Sequence, residues 1–312
     1  MKTFSRLIYR ALLIVLLVTA LPTVLHAEKR IGVIMTGDIP YYGAMHEAFI
    51  AEFDRMTAGG EKVEIILQRP FPDSISWSNA ARKLIAFDVD LVVTYGSPAT
   101  NAFIHEKSRI PLVYAGLYDP ESLLPVGKNA TGCGFKVPLS SIVRYLKRIK
   151  PIDTIGIVFS GIEEDSVRQF TAMNELAGQL GMKVDKIDIR SRDDLNKLTN
   201  NEQDAVFLTG SSIVHLWIDD ILAILRKKMI PVADIFPDSS EAGVLMALYQ
   251  PPHLQGQMAA VMATQILRGE GPRSIAPHVS RDTELEFNLI EARHLNITIP
   301  VNVVIEATRV IK

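Results

Sequence analysis

The sequence predicts an α/β protein built from two similar lobes, each with a parallel sheet. Three observations support this fold class. The chain has 312 residues, about twice the length of a typical domain. Short apolar runs alternate with amphipathic stretches, as expected for strands joined through helices. Landmarks of the first half recur in the same order in the second half. We therefore predict two Rossmann-like lobes joined by a hinge.

Four predicted strands, separated by helices, make up the first half. A helical stripe of apolar residues follows the first strand and stops at Gly59-Gly60. A second helix is marked by apolar residues at positions i, i+3, i+4, i+7 and i+8, beginning at Trp77. Strands separated by helices imply right-handed crossovers and a parallel sheet. The predicted strands cover residues 30–35, 62–67, 90–95 and 110–115.

The second half repeats this scheme. "RIGVIMTG" at 30–37 is matched by "TIGIVFSG" at 154–161, and "DLVVTYGSP" at 90–98 by "DAVFLTGSS" at 204–212. The strands that follow also agree, with "RIPLVYA" in the first half and "MIPVADI" in the second. Each match is weak alone, but their common order indicates two lobes of similar plan.

Two segments are expected to cross between the lobes. The first lies near 129–140, which is rich in glycine and turn residues, and the second near 249–256, where two prolines interrupt regular structure. A helix is expected at about 254–268, followed by a last strand and a short helix. The sequence leaves the lobe of each late segment open. Our division is 28–137 with about 252–275 for the N-terminal lobe, and 138–251 with about 276–312 for the C-terminal lobe.

Residues 1–27 have the pattern of a secretory signal peptide. Three basic residues precede an apolar run at 11–25, and "LHA" precedes the charged Glu28. The alternative is an uncleaved membrane anchor, although the run is short for a bilayer span and contains Pro22. We expect cleavage near Glu28 and export, which in a bacterium with two membranes means the periplasm.

Charge and cysteine content narrow the possible functions. The chain without residues 1–27 has 30 basic and 35 acidic residues, a formal charge of −5, which disfavours nucleic-acid binding. The single Cys133 cannot form an internal disulfide and lies far from the cleavage point, where a lipid-modified cysteine would stand. We expect a soluble protein without a lipid anchor, and a monomer by default.

The turns after two matched strands are candidate ligand sites. Ligands of open parallel sheets collect beyond the carboxyl ends of the strands. Gly96, Ser97 and Pro98 would present backbone N–H groups, a hydroxyl and a helix N-terminus, which suit a carboxylate or another small anion. Ser211 stands at the matching turn of the second half. The alternative is that Ser97 and Ser211 only cap their helices.

The turns after the first strand of each lobe add further candidates. An acidic side chain there could pair with a ligand amine, and Ser166 could donate to a carboxylate. The alternative is that Asp165 or Ser166 caps the helix that follows. Tyrosines nearby are candidates for stacking on an apolar ligand group, or are simply core residues. These candidates are Thr36, Asp38, Glu163, Asp165 and Ser166, with Tyr41, Tyr42 and Tyr118 for stacking.

At this point the sequence resembles the substrate-binding proteins of ABC transporters, in the group that includes tryptophan and tyrosine binders. The resemblance rests on "YGSPATNAF", "IPLVYAGLYDP", "NATGCGFKVPLSSIVRYLKRIKP", "TIGIVFSGIEEDSV", "IPVADI" and "NLIEARHLNITIP", in family order. It implies the type I periplasmic-binding architecture, whose two lobes close on a small ligand. Ligand contacts carried over by position fall on Gly96, Ser97, Pro98, Asp119, Glu163, Asp165 and Ser166. Asp234, in the "IPVADI" run, is a further candidate ligand-binding residue.

The expected function is therefore capture of a small ligand, an amino acid or related carboxylate, for an ABC permease in the inner membrane. Asp165 stands where the family usually has Asn and adds a negative charge. A periplasmic sensor that passes closure to a membrane receptor is an alternative. An enzyme is disfavoured because the chain has no phosphate loop, metal-binding motif or nucleophile elbow. No cofactor or metal is expected.

Overall fold

The computed structural model describes residues 28–60, 62–120, 129–199, 202–237 and 239–312. The predicted signal peptide lies outside these residues. The strands are β1 Lys29–Met35, β2 Val63–Gln68, β3 Leu91–Tyr95, β4 Leu112–Tyr118, β5 Ala130–Phe135, β6 Thr154–Phe159, β7 Lys183–Asp188, β8 Ala205–Leu208, β9 Val232–Asp234, β10 Met246–Tyr249, β11 His278–Ser280, β12 Glu284–Asn288 and β13 Arg309–Ile311.

The helices lie between these strands, as the alternating pattern predicted. Short 3₁₀ helices add Arg192–Leu198 and Pro272–Ser274. The α-helices are α1 Pro40–Thr57, α2 Ser74–Ala86, α3 Ser97–His105, α4 Leu139–Ile149, α5 Glu164–Gln179, α6 Ser212–Leu216, α7 Ile218–Lys227, α8 Ser239–Ala242, α9 Pro252–Leu267, α10 Leu289–His294 and α11 Val301–Val304.

The first lobe is built on a parallel sheet of order β11-β5-β4-β3-β1-β2. Apolar side chains of α1 and α9 cover one face, where Ile31 and Val33 are fully buried. Helices α2 and α3 cover the other face over Ile34 and Val92. Both faces of the strands are apolar because helices cover both.

The second lobe is built on a sheet of order β13-β12-β10-β9-β8-β6-β7. Strand β12 runs antiparallel to β10, and all other neighbours are parallel. Helices α6 and α7 pack on the face of Val206 and Leu208. Helices α4 and α5 pack on the face of Ile155 and Ile157. The two lobes therefore share the predicted α/β plan.

The chain crosses between the lobes three times, after β5, after β10 and after β11. Helix α9 packs against α1 in the first lobe, where Gly256 meets the backbone of Met45 and Phe49. Strand β11 corrects the predicted division at about residue 276. Its backbone forms a parallel ladder with β5 at the edge of the first sheet, so β11 belongs to the first lobe. Only the chain from β12 onward joins the second sheet.

Strand β5 was missed by the sequence pattern. Its glycines look like turn residues, but Gly132 and Gly134 each lie against a backbone carbonyl oxygen of β4. The pairing of β4 with β5 shifts register between Tyr114 and Leu117. A Cβ at Gly132 would stand 2.1 Å from the oxygen of Tyr114, and one at Gly134 would stand 2.5 Å from that of Leu117. Close approach of two backbones, rather than a turn, explains these glycines.

Candidate functional site

The carboxyl ends of the two sheets face each other, and the lobes are closed. Tyr41 at the start of α1 stacks on Phe236 after β9, with ring centroids 3.9 Å apart and planes inclined by 13°. Gly37 after β1 approaches Ser212 so closely that a Cβ would stand 2.8 Å from its Cβ. The interlobe surface is therefore a cleft with aromatic rings in direct contact across it.

Tyr42 lies in the middle of this cleft. Its hydroxyl interacts with Ser212 of the second lobe, and burial raises its pKa, with the charges of Glu163 and Asp165 acting in the same direction. The ring also covers Gly96, where φ is +86° and a Cβ would stand 2.4 Å from the Tyr42 hydroxyl. Glycine is needed at position 96 both for the left-handed backbone and for this contact.

The predicted anion-binding turn at Ser97 holds a carboxylate from the opposite lobe. Asp165, 6% exposed at the start of α5, accepts a hydrogen bond of 3.3 Å from the backbone N–H of Tyr118. The backbone N–H and hydroxyl of Ser97 also lie against this carboxylate and lower its pKa. The Ser97 hydroxyl is buried and forms no hydrogen bond with this carboxylate or with any other described residue. Ser97 makes no side-chain cap of α3, so the capping alternative does not describe it.

Arg168, one turn further along α5, completes this bridge between the lobes. Its guanidinium donates to the Asp165 carboxylate and, over 2.8 Å, to the carbonyl oxygen of Tyr118. Burial raises the pKa of Asp165 to about 6, although Arg168 and the N–H groups oppose this shift. Asn101 of the first lobe adds a polar contact to Glu164 over 2.6 Å.

Glu163 directly precedes α5, and its buried carboxylate contacts the N-terminus of α6 in the same lobe. Its carboxylate accepts from the Ser211 hydroxyl and, over 2.9 Å, from the backbone N–H of Ser212. Burial raises the pKa of Glu163, and these hydrogen bonds partly offset the rise. No cation forms an ion pair with Glu163 among the described residues. Its carboxyl group is therefore satisfied by hydrogen bonds at a helix N-terminus, which also favours a negative charge.

Asp234 at the end of β9 forms an ion pair with His215. The Nε2 atom of His215 lies 2.8 Å from the Asp234 carboxylate, and Nδ1 lies 2.7 Å from the carbonyl oxygen of Ser211. Burial lowers the pKa of His215, but the charge and hydrogen bond of Asp234 outweigh it and the net shift is upward. Both ring nitrogens face acceptors, so the geometry suits the imidazolium form.

Three predicted residues are engaged within their own lobes. Thr36 donates to the carbonyl oxygen of Tyr95 over 2.7 Å. Ser166 bonds to Thr209 over 2.7 Å and accepts from the N–H of Ser160. Ser211 accepts from the N–H of Val214 and therefore caps α6 as the capping alternative stated.

Two predicted carboxylates lie at the rim of the cleft. Asp38 is exposed, and its closest cation is Arg69 at 3.6 Å. Asp119 lies 3.0 Å from Lys136 and has a φ of +47°. The carboxylates of Asp38 and Asp119 stand apart from the buried group formed by Glu163, Asp165 and Asp234.

The two remaining predicted residues lie in the first lobe. Pro98 occupies the first turn of α3, and Tyr118 is 5% exposed beside Phe135.

A cavity of about 310 Å³ opens between the lobes beside the Tyr41–Phe236 stack. Ile39 and Pro40 line it from the first lobe, and His215 and Leu216 line it from the second. Sequence reasoning missed Arg168, Ser212, His215 and Phe236. Their only signals were positional: Arg168 lies three residues after Asp165 on a helix, and Phe236 lies two residues after Asp234.

The described residues contain no group of three or more His, Cys, Asp or Glu side chains arranged to hold a metal ion. None of their helices is long and apolar enough to cross a membrane. The fold and the paired strand-end turns define a two-lobed binding protein with the type I periplasmic-binding fold.

The chain belongs to the ABC transporter substrate-binding protein family, whose model matches residues 70–311. Proteins of this family bind small ligands and deliver them to ABC permeases, and they are normally periplasmic or extracellular. The family is a class of solute-binding proteins, not of enzymes. No curated relative matches the chain.

Solved structures of similar fold bind different ligands. A Streptococcus pneumoniae ABC domain in complex with L-Trp has a TM-score of 0.85 and 22% identity, and covers 91% of this chain and 100% of its own. A conserved domain protein from Vibrio cholerae gives the same values. A Bacillus halodurans solute-binding protein with bound myo-inositol has a TM-score of 0.60 and 16% identity, and covers 84% of this chain and 96% of its own. At these identities the likeness concerns the fold alone.

Proposed function

We propose that the protein captures a small ligand bearing an amino group, an amino acid or a compound related to one, in the interlobe cleft. It then delivers this ligand to an ABC permease of the inner membrane. One observation carries the proposal: Glu163, Asp165 and Asp234 are buried beyond the strand ends of the second lobe, which meets the first lobe across Tyr41 and Phe236. Buried carboxylates favour a cationic group in the ligand.

The predicted residues Ser97, Asp165 and Asp234, with Tyr41 and Tyr42, form the proposed site. A ligand would enter with the lobes open, place its amino group among the carboxylates and rest its carbon skeleton against the aromatic rings. Closure would then remove both from water. Export by the signal peptide, cleavage near Glu28 and action as a monomer in the periplasm belong to the same proposal.

A thermal-shift screen of the chain from residue 28 onward tests the proposal. The compounds are amino acids, amines, sugars and nucleosides. A ligand at 100 times its Kd adds about 2.7 kcal/mol to the free energy of unfolding. We expect a shift with at least one amino-group compound. A shift with sugars or nucleosides alone would reject the ligand class while leaving a binding role.

A variant pair tests the site. Ser97→Leu introduces a bulky side chain at a fully buried interlobe position and should abolish the ligand shift. Ser74→Leu changes an exposed serine of the same lobe and should leave it intact. Normal ligand binding by Ser97→Leu would reject the site. Uptake of the ligand by cells that carry the neighbouring permease would distinguish transport from signalling to a membrane receptor.

A further inference from the structure

The first-lobe turn at Ser97 offers donors suited to a carboxylate, and a carboxylate of the protein itself lies against them. Asp165 from the second lobe lies against the N–H and hydroxyl of Ser97 and accepts from the N–H of Tyr118 at 3.3 Å. Gly96, with φ of +86°, sets the backbone that turns the Ser97 N–H toward the cleft. An anion of the second lobe therefore already occupies the anion-binding turn of the first.

The cationic partner of Asp165 also reaches across to the first lobe. Arg168 bonds to the Asp165 carboxylate and donates to the Tyr118 carbonyl oxygen over 2.8 Å. The backbone at Tyr118 thus meets a carboxylate through its N–H and a guanidinium through its carbonyl oxygen. A free carboxylate of a ligand would have to displace Asp165 from these donors or lie beside it against like charge.

The three carboxyl groups buried around the cleft have only two cationic partners among the described residues. Glu163, Asp165 and Asp234 are at most 6% exposed. The cations that pair with them are Arg168 and His215, and both ring nitrogens of His215 face acceptor oxygens. Among the described residues this leaves Glu163 as the carboxyl group of the three without a cationic partner. Such a cluster attracts a cationic group and repels a second anion.

We propose that Asp165 is a specificity-determining residue that takes the place of a ligand carboxylate, so that the cleft selects small organic amines without a free carboxylate. The inference rests on the proposed function, which assigns an amino-group ligand to this cleft. An amine supplies the missing positive charge and leaves the contacts of Asp165 with Ser97 and Tyr118 in place. Its carbon skeleton has room in the cavity of about 310 Å³ beside His215.

Matched pairs of compounds test this inference on the purified protein. Tryptophan with tryptamine, tyrosine with tyramine and leucine with isoamylamine each differ only by the α-carboxylate. Affinities are measured by calorimetry at pH 7.5. We expect at least one amine to bind at least tenfold more tightly than its amino acid. Tighter binding of the amino acid in every pair that binds would overturn the inference and leave the proposed function intact.

The variant Asp165→Asn tests the role of the Asp165 charge. It keeps the size of the side chain but removes the charge that opposes a ligand carboxylate, so the preference for amine over amino acid should fall at least tenfold. The control Asp193→Asn removes the same charge from an exposed site of the second lobe and should leave the preference unchanged. An unchanged preference in Asp165→Asn would overturn the role of Asp165. Absence of binding by every pair, to the parent protein and to Asp165→Asn, would overturn the proposed ligand class and this inference together.

Discussion

Buried ionisable side chains dominate the cleft at the scale of single residues. Asp165 and Asp194 are both carboxylates of the second lobe, but their surroundings shift their pKa values in opposite directions. Burial raises the pKa of Asp165 from 3.8 to about 6. A hydrogen bond from Lys197 is the main reason why the pKa of Asp194 falls to about 2. The environment of each carboxylate, not its residue type, sets the pH range in which it affects stability.

The pH dependence of unfolding should report the protonation of Asp165. The pKa of Asp165 is higher in the folded state than in the unfolded state. Its contribution to the free energy of unfolding is therefore fully present below about pH 4 and is lost as the pH rises through about 6. From pH 4 to pH 7, the free energy of unfolding of the parent protein should therefore fall by on the order of 2–3 kcal/mol relative to that of Asp165→Asn. Urea denaturation at several pH values measures this difference.

Asp194→Asn provides a control of opposite sign. The stabilisation from Asp194 is present above pH 3.8 and is lost as the pH falls through about 2, so this variant should differ from the parent protein by a constant amount between pH 5 and 7. If the free energies of unfolding of the parent protein and Asp165→Asn differed by the same amount at every pH between 4 and 7, the raised pKa of Asp165 would be contradicted.

At the scale of elements, close approaches between backbones decide which glycines matter. Helices α1 and α9 come from opposite ends of the chain and pack on the same face of the first sheet. Gly256 lies at their contact, where a Cβ would stand 2.0 Å from the carbonyl oxygen of Met45. Backbone atoms cannot move aside as a flexible side chain can, so the helix pair depends on this glycine.

Gly256→Ala should destabilise the first lobe by about 2–4 kcal/mol because the two helices must separate to admit the methyl group. Gly178→Ala is the matched control, since it lies in α5 with no atom within 4 Å of its Cβ. Alanine there should stabilise the protein by about 0.5–1 kcal/mol. Denaturant midpoints of both variants measure these effects, and equal stability of the two would contradict the packing argument.

At the scale of the whole molecule, closure depends on a few contacts that each lobe makes with the other. Tyr41 stacks on Phe236, Gly37 meets Ser212, and Arg168 spans from α5 to the end of β4. Each of these contacts joins one lobe to the other, although Tyr41 and Phe236 are themselves buried. Substitutions at these positions should therefore change closure and ligand affinity more than they change folding.

Gly37→Val should lower ligand affinity at least tenfold, because a side chain at residue 37 collides with Ser212 only when the lobes are closed. Gly43→Val provides the control, since nothing lies within 4 Å of a Cβ at that position of α1. Calorimetric titration with the ligand found by screening measures the affinities. Equal affinities of the two variants would show that binding does not require this closure.

Phe236→Ala should open the ligand-free protein by removing the stack with Tyr41, which would increase the radius of gyration measured by small-angle X-ray scattering. Phe159→Ala is the control, because Phe159 stacks on Phe170 within the second lobe at 4.3 Å. It should lower stability without changing the radius of gyration. An unchanged radius in Phe236→Ala would mean that other contacts hold the lobes closed.

The sequence by itself determined the α/β class, the two-lobe plan, most strands and the turns that carry Gly96, Ser97 and Ser211. Local patterns suffice for these features, because hydrophobic period and turn chemistry are properties of neighbouring residues. Tertiary structure alone decided that β5 and β11 complete the first sheet. It also decided that the Glu163 carboxylate accepts hydrogen bonds from the N-terminus of α6. The Asp165 carboxylate lies at the turn of Ser97, and Ser97 does not cap its own helix. Those outcomes depend on contacts between segments distant in the chain, and the closed arrangement of the two lobes brings the interlobe partners together.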